Sequence, residues 1–353
     1  MERPPLLTLT EHGLHCAAGG FYVDAWGPVD RNIVTHAHSD HARAGARRYL
    51  CAAPGRDLLG LRLGDDADIQ PLAYGQSLRL GDVAVSLHPA GHILGSAQVR
   101  VEQRGQVWVV SGDYKLAPDP TCAAFEPVRC HTFLSESTFG LPVYRWSPPA
   151  AILADIQQWW QDNRAQQKTS LLLCYALGKA QRILAGLDPA LGPVVVHGAV
   201  DRISHVYRAA DIPMIATRTI ADRARTADWR GALILAPPSA HNSPWTRRFK
   251  QLSTGFASGW MRVRGQRRRR ALDRGFALSD HADWPALLTA IAATEAEHIL
   301  VTHGQAAPLA RYLNEHGKHA EVLATRFVGD SDDDPELSPP APAAQDPAEE
   351  LPA

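Results

Sequence analysis

The stretch Thr35-His-Ala-His-Ser-Asp-His-Ala42 sets His36, His38, Asp40 and His41 within six positions of a chain that has only 16 histidines. Each of the four can ligate a metal, and neutral imidazoles with a carboxylate suit zinc or a similar ion. A solvated polar loop has no reason to collect only ligating groups. The preceding residues, Asn32 to Thr35, read as a short apolar strand, so the cluster falls where a strand gives way to a loop. Rigid scaffolds commonly present their chemistry there. One loop cannot close a site, so other ligands must come from elsewhere in the chain.

Three further places offer them. His88-Pro-Ala-Gly-His92 follows a β-like run, and His92, with Gly91 before it and Gly95 after it, sits in a turn where an imidazole can swing to a metal. His88 ends the run and reads as structural. Val-Val-Ser-Gly-Asp113 ends a second run in a carboxylate that can bridge two ions, and Val-Thr-His303-Gly repeats the pattern with a histidine. Singly each is a weak signal. Together they make seven ligands, enough for two adjacent zinc ions with an open edge for water.

The elements that must position these groups are legible in outline. Val83 to His88, Ala97 to Glu102, Val107 to Ser111 and Thr132 to Ser135 read as strands. After Pro148-Pro149 the texture changes. Apolar positions recur at helical spacing in Ala150 to Asn163, and strand-like and helical runs then alternate through Leu171 to Pro238. That alternation predicts a parallel sheet, an α/β unit of its own. A helix is expected after Ser279-Asp-His281, with Asp283 as its cap and Pro285 in its first turn, then a last strand into His303. No internal repeat is visible.

Composition bounds the remainder. At 353 residues the chain has room for one large or two medium domains. The five cysteines are scattered, without a Cys-x-x-Cys pair, which argues against a disulfide framework and for a reducing compartment. The opening residues lack a basic region followed by an apolar core, and no apolar run approaches bilayer length, so a cytoplasmic protein without membrane contact is expected. The net charge of −1 conceals an asymmetry: eight acids and no Lys or Arg lie between Asp330 and Ala353. The rest is basic by about seven charges, as suits a protein that meets polyanions. The acidic, Pro- and Ala-rich segment 329–353 is expected to be disordered.

The series His36-x-His38-x-Asp40-His41, His92, Asp113 resembles the metallo-β-lactamase fold. Three later signals, Ser135-Glu136-Ser137, Ser279-Asp-His281 and Thr302-His303, resemble the added motifs of the β-CASP nucleases of that fold. The likeness runs from about Leu14 to Val328, and Ser253 to Leu288 is similar to bacterial ligase-associated DNA exonucleases. The resemblance implies a four-layer αββα core (1–147 and 271–328) carrying an inserted α/β β-CASP domain (148–270). It implies that His36, His38 and His92 hold one zinc and that Asp40, His41 and His303 hold the other. Asp113 bridges the two, and Asp24 supports the ligand loop from behind. Manganese would be an acceptable substitute. The ions would generate a hydroxide that attacks phosphorus, with His281 as the acid for the leaving oxygen and Glu136 orienting its ring.

A run of arginines, Arg267, Arg268, Arg269 and Arg270 with Arg262, Arg264 and Arg274 around it, is either a solvated basic face or a track for a phosphate backbone. Lys179 is a second phosphate candidate. Trp159-Trp160 reads as helix core, and His12, His15, His131, His197, His205 and His241 as surface or core residues. A lactamase or thioesterase would need neither the inserted unit nor the basic run, and a non-catalytic nucleic-acid-binding scaffold would usually have lost ligands. A nuclease is the reading that remains. The ligase-associated likeness favours DNA, with a ligase and other repair proteins as partners. His303 favours RNA, because a histidine at that last motif is commoner in RNA-processing members.

Overall fold

Turn-separated short strands open the chain. The computed structural model describes residues 4–220, 228–263 and 272–326, so the arginines Arg267 to Arg270 and the acidic segment lie outside the described residues. Strands β1 (Thr8–Thr10), β2 (Gly13–Cys16), β3 (Phe21–Val23), β4 (Val29–Ile33), β5 (Ala46–Ala52) and β6 (Ile69–Leu72) form a first sheet in sequence order. Its first pairings are antiparallel, and from β3 onward they are parallel. Helix α1 (Arg56–Leu63) connects β5 to β6 and shares a small core with them through Leu59, Tyr49 and Cys51.

A second sheet begins with the meander β7 (Ser77–Leu80), β8 (Val83–Pro89), β9 (Ala97–Gln103) and β10 (Gln106–Val110), then turns parallel at β11 (Thr132–Ser135). Alternation of apolar residues places Val83, Val85, Val99, Val101 and Val110 on one face. They meet Phe21, Val23, Ile33 and Leu50 of the first sheet in a single core.

The chain then leaves this pair of sheets. Helix α2 (Pro149–Ala165) starts with proline in its first turn, where a missing N–H costs nothing. It buries Ile156, Trp159, Trp160 and Asn163 at helical spacing. It leads into β12 (Thr169–Leu173), α3 (Lys179–Gly186), β13 (Val194–Val196), α4 (Gly198–Ala209), β14 (Thr217–Thr219), β15 (Leu233–Ala236), β16 (Leu252–Ala257) and β17 (Arg274–Phe276). These six strands make an all-parallel sheet in the order β14-β13-β15-β12-β16-β17. Its central strands are buried on both faces, which is why Leu171–Leu173 and Leu233–Ala236 read as unbroken apolar runs. Helices α2, α3 and α4 cover one face, and that core also takes in Ile93 and Leu94 of the turn bearing His92. The boundary expected at residue 270 lies outside the described residues, and β17 follows it.

The chain returns through α5 (Trp284–Ala293), capped by Asp283, whose carboxylate accepts the Ala286 N–H at 3.0 Å. Strand β18 (His298–Val301) pairs with β11, then α6 (Ala306–Glu315) leads to β19 (His319–Val322) at the edge of the second sheet. Helices α5 and α6 bury Leu287, Ile291, Leu309 and Leu313 against Val109, Phe133 and Ile299, on the face opposite the first sheet. No described helix is long and apolar enough to cross a membrane.

The turn holding His92 depends on a close backbone approach. Gly95 has φ +76°, and a Cβ there would lie 2.1 Å from the Gly55 Cα. Left-handed strain costs of order 1–3 kcal/mol and an overpacked contact about as much. Gly95→Ala should therefore lower unfolding stability by roughly 2–6 kcal/mol, measured by urea denaturation. An unchanged midpoint would show that the turn reshapes freely.

Candidate metal centre

The site forms where strands end. Strands β10, β11 and β18 are mutually parallel, and each releases a polar side chain just past its last residue: Asp113, Glu136 and His303. Strand β8 points the same way, because two antiparallel steps through β9 separate it from β10, and it delivers His92. The loop after β4 brings His36 to His41 to the same edge. It is tied across the two sheets by Ala97 N–H donating to Thr35 O at 2.8 Å. His281 arrives from the loop between β17 and α5. Groups more than 180 residues apart thus converge because sheet topology aligns their strand ends.

Asp113 lies at the centre. Its Oδ2 is 3.4 Å from His36 Nε2, 3.7 Å from His41 Nε2 and 3.9 Å from His92 Nε2, while His303 Nε2 meets Oδ1 at 2.9 Å. Three groupings have ligand atoms within 4.8 Å of one another: His36, His38, His92 and Asp113; His41, Asp113 and His303; Asp113, Glu136 and His281. Asp113 belongs to all three. Asp40 stands beside the second group, its Oδ2 3.5 Å from His41 Nε2.

Hydrogen bonding fixes which ring nitrogen faces the cluster. Carbonyl oxygens only accept, so His92 Nδ1–H donates to Asp280 O at 2.8 Å and His38 Nε2–H donates to Leu177 O at 3.2 Å. In the neutral rings the remaining nitrogens, His92 Nε2 and His38 Nδ1, are lone pairs 3.0 Å apart. A proton shared between them or a metal ion would satisfy two lone pairs held face to face. Nearby, buried His36 Nε2 makes no hydrogen bond. Its other nitrogen, Nδ1, is 3.1 Å from Thr35 Oγ1, whose proton goes to Asp24 at 2.6 Å. The donor set therefore fits a divalent metal.

Electrostatics agree. Burial, with the neighbouring imidazoles, holds His36 and His92 well below the usual histidine range, so both rings are neutral and able to ligate a cation. Burial also opposes a proton on His41, but the carboxylates of Asp40, Asp113 and Asp24 outweigh it and push its pKa up to about 10. Burial would raise Asp113, yet His41, His281 and His303 draw it well below the ordinary carboxylate range. Three carboxylates around His41 call for positive charge, which a proton or a metal ion can supply.

No family model matches the chain. A "Probable DNA ligase" of Opitutus terrae is 33% identical over 315 residues, covering 88% of this chain and 30% of that relative. A ribonuclease of Thermus thermophilus is 28% identical over 187 residues, 44% of this chain and 42% of that one. Cleavage and polyadenylation specificity factor subunit 3 of Dictyostelium discoideum is 26% identical over 196 residues, 45% of this chain and 25% of that one. The chain thus spans less than half the length of each. The latter two are β-CASP proteins of the metallo-β-lactamase fold. The chain belongs to the β-CASP family. A solved protein of unknown function from Enterococcus faecalis shares the fold, with a TM-score of 0.57 at 12% identity over 84% of this chain and 80% of that one.

In this β-CASP chain the remaining expected residues fall as follows. Asp24 is buried with φ 47° and accepts from Thr35 N at 2.7 Å and from His41 Nδ1 at 2.7 Å, so it lies behind the ligand loop. Glu136 Oε2 is 3.0 Å from His281 Nδ1, and Glu136 Oε1 accepts from Tyr114 N at 2.8 Å. His88 is bonded to Ser86 Oγ at 3.0 Å, away from the cluster. Lys179 differs from expectation. It is 1% exposed, with its ammonium 3.4 Å from Asp280 Oδ2, so an ion pair inside the protein takes the place of an open phosphate contact.

Sequence reading missed the groups that hold these side chains in place. Thr35 ties Asp24 to His36, and Arg62 Nε donates to the Ala37 carbonyl between His36 and His38 at 2.5 Å. Ser137 Oγ donates to the carbonyl of His303, whose own φ is 29°. Gly304 follows because a Cβ there would lie 2.4 Å from Ser137 O. Ser137 and Thr35 sit inside the motifs and could have been flagged, whereas Arg62 carries no local signal.

Asp24→Asn tests the support of His41. It leaves one carboxylate oxygen's partners facing an amide, which for a buried group costs about 1–3 kcal/mol. Loss of such an outer partner typically weakens metal binding ~10–100-fold. Urea unfolding and chelator competition should show both changes. Wild-type metal affinity would remove Asp24 from the centre's support.

Proposed function

We propose that the chain is a two-zinc phosphodiesterase, a DNA exonuclease that works beside a ligase in repair. The observation that carries the nuclease reading is the His281–Glu136 pair standing 3.9 Å from the central Asp113. A general acid held beside a metal cluster suits attack on one side of a phosphodiester and protonation on the other. The DNA and ligase reading draws on the ligase-named relative, of which this chain matches 30%. We assign the core to 1–147 and 271–328 in four αββα layers, with 148–270 inserted and β17, just past that bound, pairing onto the edge of the inserted sheet.

His36, His38 and His92 would hold one zinc, and Asp40, His41 and His303 the other, with Asp113 between them. Zinc or manganese supplies Lewis acidity that readies a water and takes up charge on the phosphoryl oxygens. The protein's own groups do the remainder. His281 is fixed by Glu136 and delivers its proton to the leaving oxygen. Buried imidazoles and the aromatic ring of Phe139, 5.9 Å from His281, keep bulk water from that proton. RNA is the second reading, favoured by the histidine at position 303 and by the relatives named as a ribonuclease and as a cleavage and polyadenylation factor.

Matched single-stranded DNA and RNA, each labelled at either end, decide between them. DNA should shorten from one end, chelation should stop it, and zinc or manganese should restore it. Faster loss of RNA would select the second reading, and cutting by metal-free protein would remove the metal altogether. His281→Ala should keep its metal and lose ~10²–10⁴-fold in kcat. The loss should shrink on a substrate whose leaving group needs no proton, and an equal loss on both would give His281 another role.

Changing Arg267, Arg268, Arg269 and Arg270 to Gln tests the phosphate track. Each lost contact should reduce the slope of log affinity against log salt by roughly 0.7 for a single strand. KM should rise while kcat at saturation holds. A wild-type slope would make the run a solvated face.

A further inference from the structure

The inserted sheet does more than stand beside the metal centre. Its helix α3 supplies Arg182, 4% exposed, whose guanidinium reaches two other segments. Nη1 donates to Ser279 O at 2.5 Å and to Asp280 Oδ1 at 3.1 Å, and Nε lies 3.3 Å from Asp119 Oδ2. Asp119 is held in turn by Lys115 at 2.5 Å and by Thr121, and Lys179 is the second cation on Asp280. This knot joins three stretches of chain: the loop after β10, the N-terminal half of α3, and the loop before α5.

Its position gives it consequence. The Asp280 main-chain carbonyl is the acceptor that sets His92 with Nε2 toward the cluster, and the next residue is His281. Two residues before Lys179, the Leu177 carbonyl sets His38 in the same way. Tyr207 of α4 accepts the Leu94 N–H at 3.3 Å, within the same turn as His92. The inserted unit therefore contributes the acceptor for one of the rings expected to share a metal, His38, and through its cations on Asp280 it fixes the segment that orients His92 and bears the proton donor.

Resting on the metal-centre reading above, we propose that Arg182 is a positioning residue for the metal centre. By clamping Ser279-Asp280 it holds the carbonyl that orients His92, and with it the placement of His281. A planar guanidinium is needed because one side chain must donate in three directions, to a carbonyl and to two carboxylates. A lysine keeps the charge and lacks that fork. The knot therefore couples metal affinity to the docking of the inserted sheet.

The test compares the unaltered protein with Arg182→Lys, Asp280→Asn and Ile234→Ala. Ile234 is buried on the face of the third sheet away from α3. Zinc affinity is read by chelator competition, stability by urea unfolding of the metal-free proteins, and catalysis as separate kcat and KM. Arg182→Lys and Asp280→Asn should bind zinc ~10–100-fold more weakly, as loss of an outer-sphere partner typically does, with kcat falling more than KM changes. Ile234→Ala should unfold earlier and still bind zinc like the unaltered protein. Wild-type zinc affinity in Arg182→Lys and Asp280→Asn overturns the inference and leaves the metal reading standing. An equal affinity loss in Ile234→Ala also overturns it, since general loosening would then explain the effect. Failure of the unaltered protein to bind zinc overturns the metal reading and this inference together.

Discussion

A single buried carboxylate, that of Asp113, sets the terms for everything around it. It is 3% exposed and lies within 4 Å of His36, His41, His92, His281 and His303. Stripping a carboxylate of water costs several kcal/mol unless opposite charge and donors replace the solvent. The imidazoles meet that demand only in part, because burial keeps His36 and His92 neutral. A divalent ion satisfies both needs at once, giving the carboxylate its counter-charge and the lone pairs their acceptor. The strand ends, the tight turns and the left-handed backbone at Asp24 and His303 make sense as means of holding this arrangement.

Behind the clustered imidazoles stands a layer of oxygen atoms, and its sources are dispersed. Asp24 comes from the first sheet, Thr35 from the ligand loop, Leu177 from the inserted unit, and Asp280 from the loop after it. Each fixes one ring in one orientation, so that rotation of an imidazole would break a buried hydrogen bond. Metal sites built this way are rigid because their supports are rigid. Rigidity matters for the proposed chemistry, since the proton on His281 is useful only if the ring stays in line with the bond being broken.

The inserted sheet shares its core with the His92 turn through Ile93 and Leu94 and its buried charges with the loop carrying His281. Burying Lys179 and Arg182 is costly unless each finds a carboxylate, and Asp280 and Asp119 provide them. Such pairs add little net stability, but they specify one docking arrangement over others.

Much was legible in the sequence. Local chemistry marks His36, His38, Asp40 and His41, because ligands from one loop must be close in sequence. Strand-end signals mark His92, Asp113 and His303. Helical spacing gave α2, and the apolar runs Leu171–Leu173 and Leu233–Ala236 gave β12 and β15, since burial on two faces favours apolar residues. The short strands Thr217–Thr219, Arg274–Phe276 and His319–Val322 were not legible, because pairing with neighbours creates them and their own pattern does not. Nor could sequence reveal that Lys179 faces inward, or that Arg182 meets Asp280 across 98 residues. Residue type and spacing determine which groups can bind a metal. Only the tertiary structure decided which nitrogen of each ring is free to do so, because a hydrogen bond across the fold fixes the proton on the other.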